Sequence, residues 1–246
     1  MSTTTPNPAP AGEIDSSRYF WAPGLEARAA DFAFGLGAGD YLEFGVYDGS
    51  SFIQAYHAQR YAHQKALKQY GFLMSDQVRA NQERIWQTRR FFAFDSFEGL
   101  PDVKGPDQNG PFKRGDYSCS LDTVRTNLAT AHVDLDRVSF IKGWYQDTLT
   151  PSTREAHRMQ SAAIVHIDCD LYESAKVALN FITPLLQDGT VIIFDDWFQF
   201  RGHPQKGEQR AFREWLVTVP GWIATEYHKE GTWRNSFIIN RRLDEA

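Results

Sequence analysis

The sequence predicts a single doubly wound α/β domain, with a mostly parallel sheet and an antiparallel C-terminal strand. Three observations predict it. Short apolar runs alternate with longer stretches of helical spacing through most of the 246 residues, a length that suits one large domain. The apolar runs end in acids: Glu43 within YLEF, Asp95 after FAF, Asp168 and Asp170 after AAIVHI, Asp195 and Asp196 after VIIF. From Ala163 to Trp197 the chain reads strand, helix, strand, with helical spacing from Tyr172 to Leu186, punctuated by Pro184 and Gly189. Such a β-α-β unit is parallel, so its acidic ends share one sheet edge, and open α/β sheets bind ligands at that edge. Like charges crowded there repel and lose hydration, so a divalent cation is the expected remedy.

In chain order, residues 1–18 are rich in Thr, Pro, Ala and Ser and read as a disordered tail. Tyr19-Phe20-Trp21 offers an aromatic anchor, and the domain is expected to run from 19 to 246. Leu25 to Leu36 reads as a helix before a glycine-rich break. YLEFGVYDGSS (41–51) is a strand ending beside two glycines four apart, followed by hydroxyl residues that open a helix from Phe52 to Tyr61. Gly45 permits a tight turn there, and Gly49 permits close approach of a ligand to the backbone. The spacing is not GxGxxG and no phosphate-binding lysine follows, which places a nicotinamide dehydrogenase last among the readings. Glu43 suits an amine-bearing ligand better than a pyrophosphate.

Residues 62–90 are polar and helical, long for a connection, and read as inserted helices serving as a lid or an oligomer contact. FFAF (91–94) is a strand whose following acid, Asp95, occupies the place where nucleotide-binding α/β folds hold ribose hydroxyls; capping a turn is its other reading. A long Gly/Pro-rich loop (102–118), a helix from Ser120 to Leu128 and a strand from Val138 to Lys142 follow. Trp144 and Tyr145 at that strand's tip suit either a purine ring or ordinary packing. A polar loop (198–207), a helix from Glu208 to Leu216 and two closing strands, Glu226 to His228 and Ser236 to Asn240, complete the order. His166 reads as a packed, hydrogen-bonded residue and His203 as exposed.

Composition narrows the function. A net charge of −5 disfavours a nucleic-acid partner, and no apolar run is long enough to span a membrane. The N-terminus lacks the basic start and apolar core of a secretory signal, and Cys119 and Cys169 make no disulfide framework or zinc spacing. The expectation is a soluble cytoplasmic enzyme.

Five stretches carry a resemblance: YLEFGVYDGSSF (41–52), FAFDSFEGLPD (92–102), GDYSCSLDTVRTNL (115–128), FIKGWYQDTL (140–149) and HIDCDLYESAKVALNFITPLLQDGTVIIFDDW (166–197). Together the chain resembles class I S-adenosylmethionine-dependent methyltransferases with a Rossmann-like domain, and among them the macrocin/novobiocin-type sugar O-methyltransferases. The resemblance implies that Glu43, Gly45, Tyr47, Gly49 and Ser51 line the methionine side of a donor pocket. Asp95 would take the ribose hydroxyls and Ser96 the adenosine end. It implies Asp168, Asp195 and Asp196 as ligands of Mg²⁺ or another divalent cation, and Asp170 as the base that deprotonates the metal-bound acceptor hydroxyl. Asp170 as a further metal-side carboxylate is the other reading. The acceptor would be a small molecule bearing a sugar, and a homodimer is compatible with the family. A catechol-like acceptor, or a cofactor-binding protein without catalysis, are the rival functions.

Overall fold

A computed structural model describes residues 24–35 and 37–243; the expected tail, the Tyr19-Phe20-Trp21 anchor and Leu36 lie outside them. The elements are α1 (Leu25–Phe34), β1 (Asp40–Phe44), α2 (Ser50–Tyr70), α3 (Asp76–Thr88), β2 (Phe91–Asp95), α4 (Leu121–Thr130), β3 (Val138–Lys142), α5 (Tyr145–Thr148) and α6 (Pro151–Ala156). They continue with β4 (Ala162–Ile167), α7 (Tyr172–Ile182), β5 (Thr190–Phe194), α8 (Gln199–Gly202), α9 (Gly207–Thr218), β6 (Trp222–Glu230) and β7 (Arg234–Arg241). The seven strands form one sheet in the order β3-β2-β1-β4-β5-β7-β6. β3 to β5 pair in parallel, while β7 lies antiparallel to both β5 and β6. The expected mixed α/β sheet is therefore present.

The central strands are apolar without alternation because both faces are covered. On one face Leu42, Phe44, Phe94, Ile167 and Phe194 pack against α7 and α9 through Leu179, Ile182, Phe212 and Trp215. On the other, Tyr41, Phe91, Ile164 and Ile193 pack against α1, α2 and α4 through Leu25, Phe52, Tyr56 and Leu128. Alternate residues of each strand go to opposite faces, as the pleat requires. The edge strand β6 has no fully buried residue, and it is longer than its apolar core suggests because β7 pairs along most of it.

One boundary differs in kind from expectation. α2 does not stop at Tyr61 but runs unbroken to Tyr70, so the first part of the polar segment extends that helix, and the rest forms a separate helix, α3. No Gly or Pro interrupts α2 before Gly71, where Arg79 donates to the carbonyl. α3 then ends just before β2, at the amino edge of the sheet. The α2–α3 hairpin thus sits away from the carboxyl edge, which does not suit a lid there.

Candidate active site

The parallel register brings the tips of the inner strands level. Gly45 donates to the Phe94 carbonyl, Asp168 to that of Phe44, and Asp195 to that of Ile167, each at 2.9–3.0 Å. Strand order reverses between β1 and β4, and the crevice that forms at such a switch point is where these sheets bind ligands. A cavity of about 250 Å³ opens there, reaching from Asp95 and Ser96 past Gly45 and Tyr47 to Asp168, Asp170, Asp195 and Asp196. Gly45 (φ +90°) makes the crossing possible: a Cβ on it would stand 1.7 Å from the Asp168 carbonyl oxygen.

At the end of the cavity nearest β2, Asp95 is organised by backbone. Its Oδ2 accepts from the amides of Val46 (2.7 Å) and Tyr47 (3.3 Å), and its Oδ1 from that of Phe97 (2.6 Å). The acid at the second strand's tip and the glycine turn after the first are therefore one unit. Ser96 donates to the Gly99 carbonyl, and Trp144 and Tyr145 complete that wall.

Three expected donor-side residues stand elsewhere. Glu43 is fully buried one layer below, accepting from Ser51 Oγ at 2.6 Å and from the Tyr41 hydroxyl, with His166 Nδ1 3.7 Å away. Ser51 is thereby turned away from the cavity. Gly49 (φ +89°) faces α4, where a Cβ would meet Leu128 at 2.5 Å, so helix packing accounts for it.

The acidic end divides into two kinds of carboxylate. Asp195 is paired: Arg234 Nε lies 2.7 Å from Oδ1, in an ion pair without hydrogen-bond alignment, and His166 Nε2 lies 3.6 Å away. Burial would raise its pKa, but these two cations outweigh it and hold the group below the usual range. For the fully buried His166 burial lowers the pKa, but Asp195 and Glu43 together outweigh it and hold the imidazole well above its usual value. Asp168, Asp170 and Asp196 have no ion pair with Lys or Arg among the described residues. Burial, then the neighbouring acids, pushes Asp168 and Asp170 well up and Asp196 to about 6. The charge of Asp196 contributes most to the Asp170 shift after burial.

Sequence reasoning missed a fifth acid. Glu208 on α9 is wholly buried; its Oε2 accepts the Asp196 amide at 3.0 Å, while Oε1 has no partner among the described residues. Nothing local marks it, since its helical spacing reads as an ordinary polar position. Arg234 was likewise not singled out, though it binds Glu26 of α1, Glu230 and Asp195 together.

This donor set fits a hard divalent cation. One ligand atom each of His166, Asp168 and Asp195 lies within 4.8 Å of the others. The carboxylates of Asp168 and Asp195, with Asp196 beside them, are the hard oxygen ligands that suit Mg²⁺.

The same charges set a pH dependence. Asp168, Asp170 and Asp196 have folded pKa values above their unfolded ones, so their protonated forms favour the native state at low pH. That contribution is lost as pH rises through about 6 and beyond. His166 adds in the same direction. The buried His57 and His63, with lowered values, act oppositely below about 6.5, but they lie remote from the acids. Chelator-treated protein is therefore expected to gain more Tm from Mg²⁺ at about pH 8 than at about pH 5.5. Equal gains in differential scanning fluorimetry would contradict this cluster as the binding site.

Comparison with known proteins follows the same lines. A family model described as macrocin O-methyltransferase (TylF) matches residues 71–214. The 8-demethyl-8-(2,3-dimethoxy-α-L-rhamnosyl)-tetracenomycin-C 4'-O-methyltransferase of Streptomyces olivaceus is 31% identical over 168 residues, covering 65% of this chain and 53% of that protein. The demethyldecarbamoylnovobiocin O-methyltransferase of Streptomyces niveus is 28% identical over 165 residues, with coverages of 65% and 53%. The chain thus spans about half the length of the curated relatives it matches. Among solved structures, the O-methyltransferase NovP superposes with a TM-score of 0.65 at 22% identity, covering 88% of this chain and 78% of that one. A calicheamicin methyltransferase gives 0.59 at 20%, covering 87% and 76%. At these identities the structures establish a shared fold.

Proposed function

The chain belongs to the macrocin O-methyltransferase (TylF) family, and from that premise we propose that it transfers a methyl group from S-adenosylmethionine to a hydroxyl of a sugar or glycosylated natural product. The observation that carries this reading is the meeting of two different ends in one cavity. One is a backbone-anchored acid beside a glycine turn; the other is a group of carboxylates short of positive charge.

At the first end, Asp95 already holds three backbone donors and offers its remaining lone pairs to the ribose hydroxyls. Ser96, Trp144 and Tyr145 wall the adenosine side, and the backbone of Gly45 to Tyr47 the methionine side. Glu43, Gly49 and Ser51 act from beneath by fixing the first turn of α2.

At the second end, Asp168, Asp195 and Asp196 would hold Mg²⁺, which supplies Lewis-acid polarisation of the acceptor hydroxyl and charge balance for the acids. Arg234 and His166 keep Asp195 ionised and in place. Asp170 accepts the acceptor's proton at a carboxylate oxygen, and the shared cavity places the two ends for in-line displacement of methyl from sulfur to oxygen. Tyr47 and Tyr117, about half exposed with ring centroids 5.7 Å apart, line the same cavity and suit the apolar face of a sugar or its aglycone. The same pair favours a flat catechol-like ring as the second reading.

Transfer of labelled methyl to a panel of deoxysugar glycosides and catechols separates the two acceptors; transfer to neither would overturn both. On the donor side, Asp95→Asn is expected to weaken S-adenosylhomocysteine binding by about 10- to 100-fold, since hydrogen bonds to charged groups contribute roughly 1.5–3 kcal/mol. Unchanged affinity in isothermal titration would move the ribose site elsewhere.

A further inference from the structure

We propose that Asp107 is a positioning residue: from the 102–118 loop, its single carboxylate fixes both chain segments that bring Asp170 and Asp196 to the cavity. The proposal rests on the reading of those two acids given above.

Asp107 closes a short 3₁₀ turn (Gly105–Asp107) and is 2% exposed. Its Oδ2 accepts the Tyr172 amide at 2.6 Å and its Oδ1 the Gly207 amide at 2.8 Å, partners 65 and 100 positions away. Tyr172 and Gly207 are the first residues of α7 and α9. Neither helix has a side-chain cap of its own, because Leu171 and Lys206 occupy the capping positions. Helix starts leave amide donors unsatisfied and favour negative charge, so one buried carboxylate serves two helices at once.

What those helices carry makes the bond more than a cap. Tyr172 follows Asp170 by two residues, and Asp170 is held at φ +61°, a conformation its surroundings must impose. A Cβ on Gly207 would stand 3.5 Å from the Asp170 carbonyl oxygen, so the two segments meet behind that acid. Glu208, the next residue, receives the Asp196 amide. One carboxylate thus stands behind Asp170 through α7 and behind Asp196 through α9.

The loop that supplies Asp107 also covers the cavity. Asp116 and Tyr117 line it, and Leu100 closes the loop's base: its amide donates to the Asp116 carbonyl and its carbonyl accepts from the Gly115 amide, each at 2.9 Å. Phe112 packs on Phe200, centroids 5.7 Å apart, and Phe200 in turn lies against Gly207. An acceptor that orders this loop therefore orders the acids through the same bond, and loss of the bond uncouples them.

The test is Asp107→Asn, which keeps the shape and one acceptor but turns an amide N–H₂ toward a backbone N–H. Four readouts are taken: hydrogen exchange of segments 169–174 and 205–210, Mn²⁺ affinity, S-adenosylhomocysteine affinity and methyl-transfer kinetics. Exchange in both segments is expected to rise together, Mn²⁺ affinity to fall by about 10-fold, and kcat to fall by about 10- to 100-fold. S-adenosylhomocysteine affinity is expected to stay within about twofold, because the Asp95 end makes no contact with this bond. Unchanged exchange in either segment, or faster exchange with unaltered Mn²⁺ affinity, would overturn the proposal. A wild-type protein that transfers no methyl would instead sink the functional reading, with exchange and Mn²⁺ affinity still deciding the role of Asp107.

Discussion

Asp170→Asn is expected to lower kcat by about 10²- to 10⁴-fold while raising Tm. The first effect follows from the proposed role of Asp170 as proton acceptor at the carboxylate end of the cavity. Asn keeps the size and hydrogen-bonding reach of Asp and tolerates the left-handed backbone at φ +61° at least as well, so the fold has no reason to suffer. The second effect follows from the crowd of acids. Burial and the charges of Asp196 and Asp168 raise the Asp170 pKa strongly, so near neutral pH its ionised form costs stability that an amide does not. Higher Tm with lost turnover separates a working acid from a structural one. Steady-state kinetics beside a thermal melt checks it; retained kcat would return Asp170 to the role of a metal-side carboxylate.

Gly45→Ala carries the largest expected effect on stability. The residue sits at φ +90°, and its Cβ would stand 1.7 Å from the Asp168 carbonyl oxygen, a backbone atom fixed by its place at the end of β4. Neither the turn nor the strand can yield without separating β1 from β4. A loss of more than about 4 kcal/mol is expected, which is roughly 8–16 °C in Tm for a chain of this size, or failure to fold. Gly49→Ala also meets strain, at φ +89°, but its neighbour is the flexible end of Leu128 and the cost should be smaller. Urea melts of the two variants rank them; equal stability losses would contradict the close approach at Gly45.

Much of this architecture was legible because the signals are local. Strands buried on both faces read as unbroken apolar runs, as in FFAF and VIIF, and their tips read as acids. The β-α-β rule then placed Asp168, Asp170, Asp195 and Asp196 on one edge without further information. His166 and His203 also fell as their settings suggested, one buried and one exposed. What the sequence concealed depends on contacts between distant positions. The pairing of Asp195 with Arg234 requires β7 to insert beside β5, and no local pattern announces that placement. Glu208 and Asp107 look like solvated polar residues until α9 and the long loop close over them. Glu43 was legible as important but not as buried: only the register with His166 shows that it faces inward, beneath the donor wall. The length of α2 is hidden because the composition turns polar near Tyr61 while the helix continues without a Gly or Pro to Tyr70.

The central claim is that the acids at the tips of β4 and β5 work with a divalent cation on an acceptor hydroxyl, beside a methyl donor held by Asp95. The most direct measurement is the initial rate of methyl transfer to a glycoside acceptor by chelator-treated protein as Mg²⁺ is added back. The account predicts negligible transfer without the cation, saturable recovery with it, and no recovery in Asp168→Ala. Full transfer in excess EDTA would contradict it.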